Sequence, residues 1–131
     1  MAELWSVHAA EEACDLAMRA PGAGRVAPDE VIVRGSIAED LQAAVRTIDV
    51  DAVIRECSEG WSEIVLSGAH ARSTFARFSD LSLPDAGGFV QGGVAGVAAR
   101  VFVEEDTLRV FVRASWGSYL ARQLGGGASR S

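Results

Sequence analysis

The sequence predicts an α+β fold, an antiparallel sheet with helices packed on one face. Three observations carry that prediction. Short runs rich in β-branched and apolar residues recur at 31–33, 50–57, 61–66, 94–103 and 108–112, as strands require. Apolar stripes at helical spacing occupy 6–19, 37–47, 69–78 and 115–124. The second half then orders these signals as repeated strand-strand-helix units, which suits hairpins backed by helices. With 131 residues the chain fits one domain. That domain is placed over residues 1–124, and Gly125 to Ser131, a Gly/Ser-rich stretch, reads as a disordered tail.

Each element has its own signal. From Ser6 to Arg19, Ala10, Ala13, Cys14, Ala17 and Met18 form an apolar stripe opposite Glu11, Glu12 and Asp15. Pro21, Gly22 and Gly24 stop that helix. Val31-Ile32-Val33 reads as a strand ended near Gly35, and Ile37 to Thr47 as a helix with Ser36 as N-cap. Val50 to Cys57 and Trp61 to Leu66 read as a hairpin joined by Ser58-Glu59-Gly60. After Gly68 comes a helix whose face is Ala71, Phe75 and Phe78. Pro84 and four glycines make 81–93 a loop. Val94 to Val103 and Leu108 to Val112 form a second hairpin around the acidic turn Glu104-Glu105-Asp106-Thr107. Ser115 caps a last helix bearing Trp116, Tyr119, Leu120 and Leu124 on one side.

Composition narrows the chemistry. Lysine and asparagine are absent, and all 12 bases are arginine. That removes Schiff-base chemistry on lysine, a lysine general base and the phosphate-binding lysine of a P-loop. The net charge of −6 and a pI near 4.8 argue against nucleic acid, which needs a basic face. Residues 1–65 carry 13 acids and 5 arginines, and residues 66–131 carry 5 and 7, so the two halves stand at −8 and +2. The acidic half is either a solvated skin or a face for a basic partner. No apolar run is long enough for a membrane span and no signal-peptide pattern opens the chain, which places it in the cytoplasm with Cys14 and Cys57 reduced.

Motif tests remove most enzyme classes. His8, Cys14, Cys57 and His70 lack metal-ligand spacing, and no G-x-S-x-G elbow exists. The glycine-rich stretch Gly87 to Gly96 lacks G-x-G-x-x-G and leads into a strand, so no helix N-terminus follows it to hold a pyrophosphate. Trp5, Trp61 and Trp116 are either core anchors or interface residues. Trp116 and Tyr119, three apart on the last helix with Arg113 and Arg122 nearby, form the candidate partner-binding set.

The segment Trp61-Ser62-Glu63-Ile64-Val65-Leu66-Ser67-Gly68-Ala69-His70-Ala71, with the helix 72–78 and Ser79-Asp80-Leu81 after it, resembles the strand–Gly–helix segment of the glycine cleavage T-protein (aminomethyltransferase) family. Phe89 to Val103 and Leu108 to Trp116 continue the likeness. The similarity is to the sarcosine oxidase gamma subunit family, short relatives of the T-protein, whose members end in an Arg-Ser-aromatic, Tyr-Leu helix. Here that helix reads Arg113-Ala114-Ser115-Trp116-Gly117-Ser118-Tyr119-Leu120. The resemblance spans residues 49–124, a truncated T-protein-like domain; residues 1–48 are left unmatched.

The resemblance implies a role without chemistry of its own. T-proteins carry a Gly-Ile-x-Asp-Asp-like stretch whose aspartate serves folate chemistry, and Gly96-Val97-Ala98-Ala99-Arg100 holds no carboxylate. The chain also ends where a T-protein continues. The implied protein is a non-catalytic gamma subunit of a heterotetrameric sarcosine oxidase, a complex that demethylates sarcosine oxidatively to glycine with tetrahydrofolate as one-carbon acceptor. Its larger alpha and beta subunits are the expected partners, holding FAD, FMN, NAD and tetrahydrofolate; no catalytic, cofactor or metal residue is expected here. A stand-alone folate-binding one-carbon protein and an interaction module of another pathway are the alternatives.

Overall fold

The computed structural model describes residues 3–125 and 128–130. Where the sequence reads as one domain over 1–124 with a single sheet, the chain divides into two compact units, residues 2–58 and 59–131, each with its own antiparallel sheet. The fold class is α+β, as expected. All of the net charge falls in the first unit, which holds 11 acids and 5 arginines, while the second holds 7 of each.

The first unit runs β1 (Leu4–His8), α1 (Glu11–Ala17), β2 (Ala23–Ala27), β3 (Glu30–Arg34), α2 (Glu39–Ile48) and β4 (Val53–Glu56). Its sheet order, β2-β3-β1-β4, is the split β-α-β arrangement of ferredoxin-like domains. Val7, Val31 and Val33 pack with Ala13, Cys14 and Ala17 of α1 and Val45 of α2. The helix expected from Ser6 to Arg19 therefore begins as strand, with Ser6 to His8 in β1 and the helix confined to Glu11–Ala17. Backbone N–H groups of Gly35 and Ala9 donate to the carbonyls of Glu3 and Asp29, tying β1 to β3 at both ends, and the chain turns helical only after Ala10. The alanine stripe survives in the shorter helix, where Ala13, Cys14 and Ala17 are buried.

Two further corrections concern pairing. Strand β2 has almost no strand signal, and forms because Gly22 at φ +78 lets the Arg34 N–H reach the Gly22 carbonyl at 2.9 Å. The hairpin expected between 50–57 and 61–66 does not form. Strand β4 pairs with β1 instead, held by the Cys57 N–H on the Leu4 carbonyl (2.7 Å) and the Leu4 N–H on the Ser58 hydroxyl (2.8 Å).

The second unit begins with β5 (Trp61–Ser67), then α3 (Ala71–Ala76), β6 (Phe89–Val94), β7 (Val97–Val103), β8 (Thr107–Arg113), a 3-10 turn (Ala114–Trp116), α4 (Gly117–Leu124) and β9 (Ala128–Arg130). The sheet order is β6-β7-β8-β5-β9. Strand alternation sends Ile64, Leu66, Val101, Val103, Leu108, Val110 and Val112 to one face, where Phe75, Leu120 and Leu124 complete the core. The hairpin around Glu104–Asp106 forms as expected, with Val103 opposite Leu108. The single strand expected over 94–103 is two strands, because Ala95 (φ +49) and Gly96 (φ +82) make a two-residue turn between Val94 and Val97. The glycine-rich stretch forms β6, the edge strand of this sheet. Neither Ser36 nor Ser115 caps a helix through its side chain: α2 starts after Ala38 and α4 after Trp116. Residues 128–130 of the expected disordered tail pair with β5 as β9, while 126, 127 and 131 lie outside the described residues.

Candidate functional site

The four residues singled out on the sequence do not form one cluster. The 3-10 turn and α4 bring Trp116 and Tyr119 together, their rings meeting edge-on with centroids 5.8 Å apart at 74°. Tyr119 is half-buried, and its hydroxyl donates to the Ala95 carbonyl at 3.1 Å, fastening α4 to the β6–β7 turn. Trp116 is 49% exposed, an unusual setting for the largest apolar side chain. Arg122 is exposed on the same helix. Arg113 goes elsewhere: it ends β8 and lies over Trp61 of β5, its register partner.

That second location is a site the sequence reading missed. By alternation, Trp61, Glu63, Arg100, Phe102, Arg109, Phe111 and Arg113 share the sheet face opposite the helices. The guanidinium carbons of Arg113 and Arg100 lie 4.4 and 4.5 Å from the Trp61 ring centroid, both within cation–π range. Around them opens a cleft of about 310 Å³ lined by Trp61, Gln91, Gly92, Ala98, Ala99, Arg100 and Arg113. The only trace of it in the sequence is period two: arginines at 109 and 113 on one strand and Trp61 and Glu63 on another.

Farther along the same face, Glu63 is buried with 2% of its side chain exposed, and Arg109 Nη1 reaches its Oε2 at 3.4 Å. Arg109 Nε also bonds Glu104, and this hydrogen bond, followed by the charges of Glu104 and Glu63, holds the guanidinium above its ordinary range. Glu63 and Arg109 thus form a largely buried ion pair on this face, which reads as a structural element.

The remaining reactive side chains are dispersed. Among the described residues no group of three or more His, Cys, Asp or Glu could hold a metal ion. His70 is exposed at the N-cap of α3, and His8 stands 3.7 Å from Glu30. Cys14 is a buried free thiol whose Sγ donates to the Ala9 carbonyl, and burial pushes its pKa up; Cys57 is a half-buried free thiol. Of the stretch Gly96 to Arg100, Gly96 forms the β6–β7 turn, and Ala98, Ala99 and Arg100 line the cleft. No helix among the described residues is long and apolar enough to cross a membrane.

Comparison with known proteins yields a likeness of fold. No protein-family model matches the chain, and no curated protein matches it in sequence. Among solved structures the chain is similar to one from the heterotetrameric sarcosine oxidase of Corynebacterium sp. U-96, solved in complex with pyrrole 2-carboxylate. The TM-score is 0.74 at 15% identity, over 95% of this chain and 78% of that one.

Proposed function

We propose that this chain is a non-catalytic gamma-type subunit of a heterotetrameric sarcosine oxidase-type complex, which demethylates sarcosine to glycine with tetrahydrofolate as one-carbon acceptor. The observation that carries the reading is the fold likeness over 95% of the chain to a chain of such an enzyme. Its support lies in the site chemistry. The position where the T-protein resemblance expects an aspartate is occupied by Ala98, Ala99 and Arg100, which offer no group to deprotonate an amine or a pterin. In this reading the flavins, NAD and tetrahydrofolate belong to larger alpha and beta subunits, and the complex is cytoplasmic.

The partner-facing element in this reading is the 3-10 turn and α4. Trp116 projects there, pre-oriented by Tyr119, and buried aromatics with nearby arginines are the residues that dominate association energy. Trp116→Ser and Arg122→Glu test it in the full chain, purified by affinity tag from its native host. The reading expects the wild type to bring down flavin-containing partners with sarcosine-dependent activity, and Trp116→Ser to cut their recovery at least tenfold at unchanged melting temperature. Unchanged recovery in both variants removes this surface from the interface. Tight binding of tetrahydrofolate by the isolated chain would favour the stand-alone folate-binding reading.

A further inference from the structure

We infer that the outer edge of β4, with the apolar corner that precedes it, is a docking site for a basic, extended segment of a partner chain, which adds to the sheet as a further strand. The inference rests on the first unit alone and holds whatever complex the chain enters. Strand β4 ends its sheet: it pairs with β1, and no strand lies on its other side among the described residues. The Cys57 N–H donates to the Leu4 carbonyl, and an antiparallel ladder alternates, so Arg55 and Val53 also turn their backbone groups toward β1. Ile54 and Glu56 therefore turn theirs outward, and among the described residues neither makes a backbone hydrogen bond on that side. Their N–H and C=O groups stand at strand spacing, a template for main-chain pairing.

Other edges are guarded where this one is open. On β2 the register shifts between Arg25 and Ala27, and Arg25 Nε donates to the Ala27 carbonyl at 3.1 Å. On β6 the Ser79 hydroxyl donates to the Gly93 carbonyl at 2.7 Å, and the Leu81 side chain fills the space beside Gly92. Along β4 the register with β1 runs unbroken from Trp5↔Glu56 to His8↔Val53, with neither bulge nor proline. Apolar surface collects at its start. Of the four large apolar side chains that stand exposed among the described residues, three fall within this short span: Ile48 (48%), Val50 (85%) and Val53 (51%). They lead from the end of α2 to the first residue of β4, where an added strand covers them. The charges around them select the occupant. The Ala10 N–H donates to Asp49 Oδ2 at 2.7 Å, which brings Glu11 and Glu12 alongside Asp49 and Asp51, with Arg46 as a nearby base. The unit as a whole carries 11 acids and 5 arginines. Two copies edge to edge bring like charges together, whereas a strand bearing lysine or arginine is attracted.

The test is amide hydrogen exchange, read by NMR on the full chain, with synthetic peptides of about eight residues as probes. One alternates valine and arginine, a second alternates valine and glutamate, and a third is the first with every backbone nitrogen methylated. Without peptide, the Ile54 and Glu56 amides should exchange at least tenfold faster than that of Arg55, which the ladder holds. The valine–arginine peptide should bind saturably, with a dissociation constant of about 10–500 µM, and slow both outward amides tenfold or more. Val50→Arg and Val53→Arg, at exposed positions, should each weaken binding at least tenfold at a melting temperature close to wild type. Glu56→Pro deletes an outward N–H and should do the same, while Trp116→Ser leaves binding unchanged. Equal binding of the valine–glutamate or the methylated peptide, no saturation up to about 5 mM, or protection confined to residues outside β4 overturns the inference. Self-association of the chain that Val50→Arg abolishes also overturns it, by making a second copy the occupant.

Discussion

Replacing Arg109 with methionine strands a buried carboxylate, and the cost follows from the geometry. Glu63 is 2% exposed and its Oε2 lies 3.4 Å from Arg109 Nη1. At an effective dielectric constant of 20, Coulomb's law gives about 5 kcal/mol for that separation. Arg109 is 28% exposed and shares its charge with Glu104, so solvent screening reduces the net loss to about 3 kcal/mol. In a chain of this size that corresponds to a fall in melting temperature of roughly 10–15 °C. Glu104→Gln, which touches the more exposed partner, should cost less than ~1 kcal/mol. The double variant Glu63→Leu/Arg109→Met removes both charges from the buried face and should recover most of the loss, because a matched apolar pair is often as stable as a buried ion pair. Urea unfolding of all four proteins measures these differences. If Arg109→Met lies within ~0.5 kcal/mol of wild type, or the double variant is worse than the single, Glu63 is not held by Arg109 and the reasoning fails.

Three other outcomes follow from the same structure. Burial pushes the Cys14 thiol above its ordinary 9.0, so the folded chain keeps a proton that the unfolded chain releases near that pH; stability is full below it and declines as pH rises, by at most about 1.4 kcal/mol per pH unit, and Cys14→Ala should flatten that decline in urea midpoints measured from pH 7 to 10. Gly22→Ala should lose about 3 kcal/mol, because its Cβ would collide with the Arg34 carbonyl as well as strain a φ of +78, whereas Gly35→Ala, with φ +110 and nothing within 4 Å, should lose about 1 kcal/mol; thermal melts of the two variants separate the cases. Tyr119→Phe removes the hydrogen bond to the Ala95 carbonyl and should cost about 1 kcal/mol, with hydrogen exchange rising in the β6–β7 turn.

What was legible in the sequence was local. The acidic hairpin turn at 104–106, the apolar stripe of 13, 14 and 17, and the i, i+3 pair of Trp116 and Tyr119 all depend on residues near one another in the chain. What failed was partner choice. Val53–Glu56 carries the same strand signal whether it pairs with β1 or β5, and its ladder with β1, anchored by the Cys57 N–H on the Leu4 carbonyl and the Leu4 N–H on the Ser58 hydroxyl, decides. Strand β6 was hidden because Gly92 and Gly93 break the alternation that marks a strand, while pairing with β7 supplies the order they lack. The Trp61 cleft was out of reach for the same reason: Arg113 and Arg100 come to one indole ring only through the registers of β5, β8 and β7.

The central claim is that the chain serves as a subunit whose chemistry resides on other chains. Affinity purification of the tagged full chain from its native host, followed by size-exclusion chromatography with absorbance and sarcosine turnover read across the peak, tests it most directly. The account predicts a heteromeric peak in which this chain co-migrates in fixed ratio with larger flavin-bearing subunits and with sarcosine-dependent activity. A colourless, inactive peak containing this chain alone would contradict it.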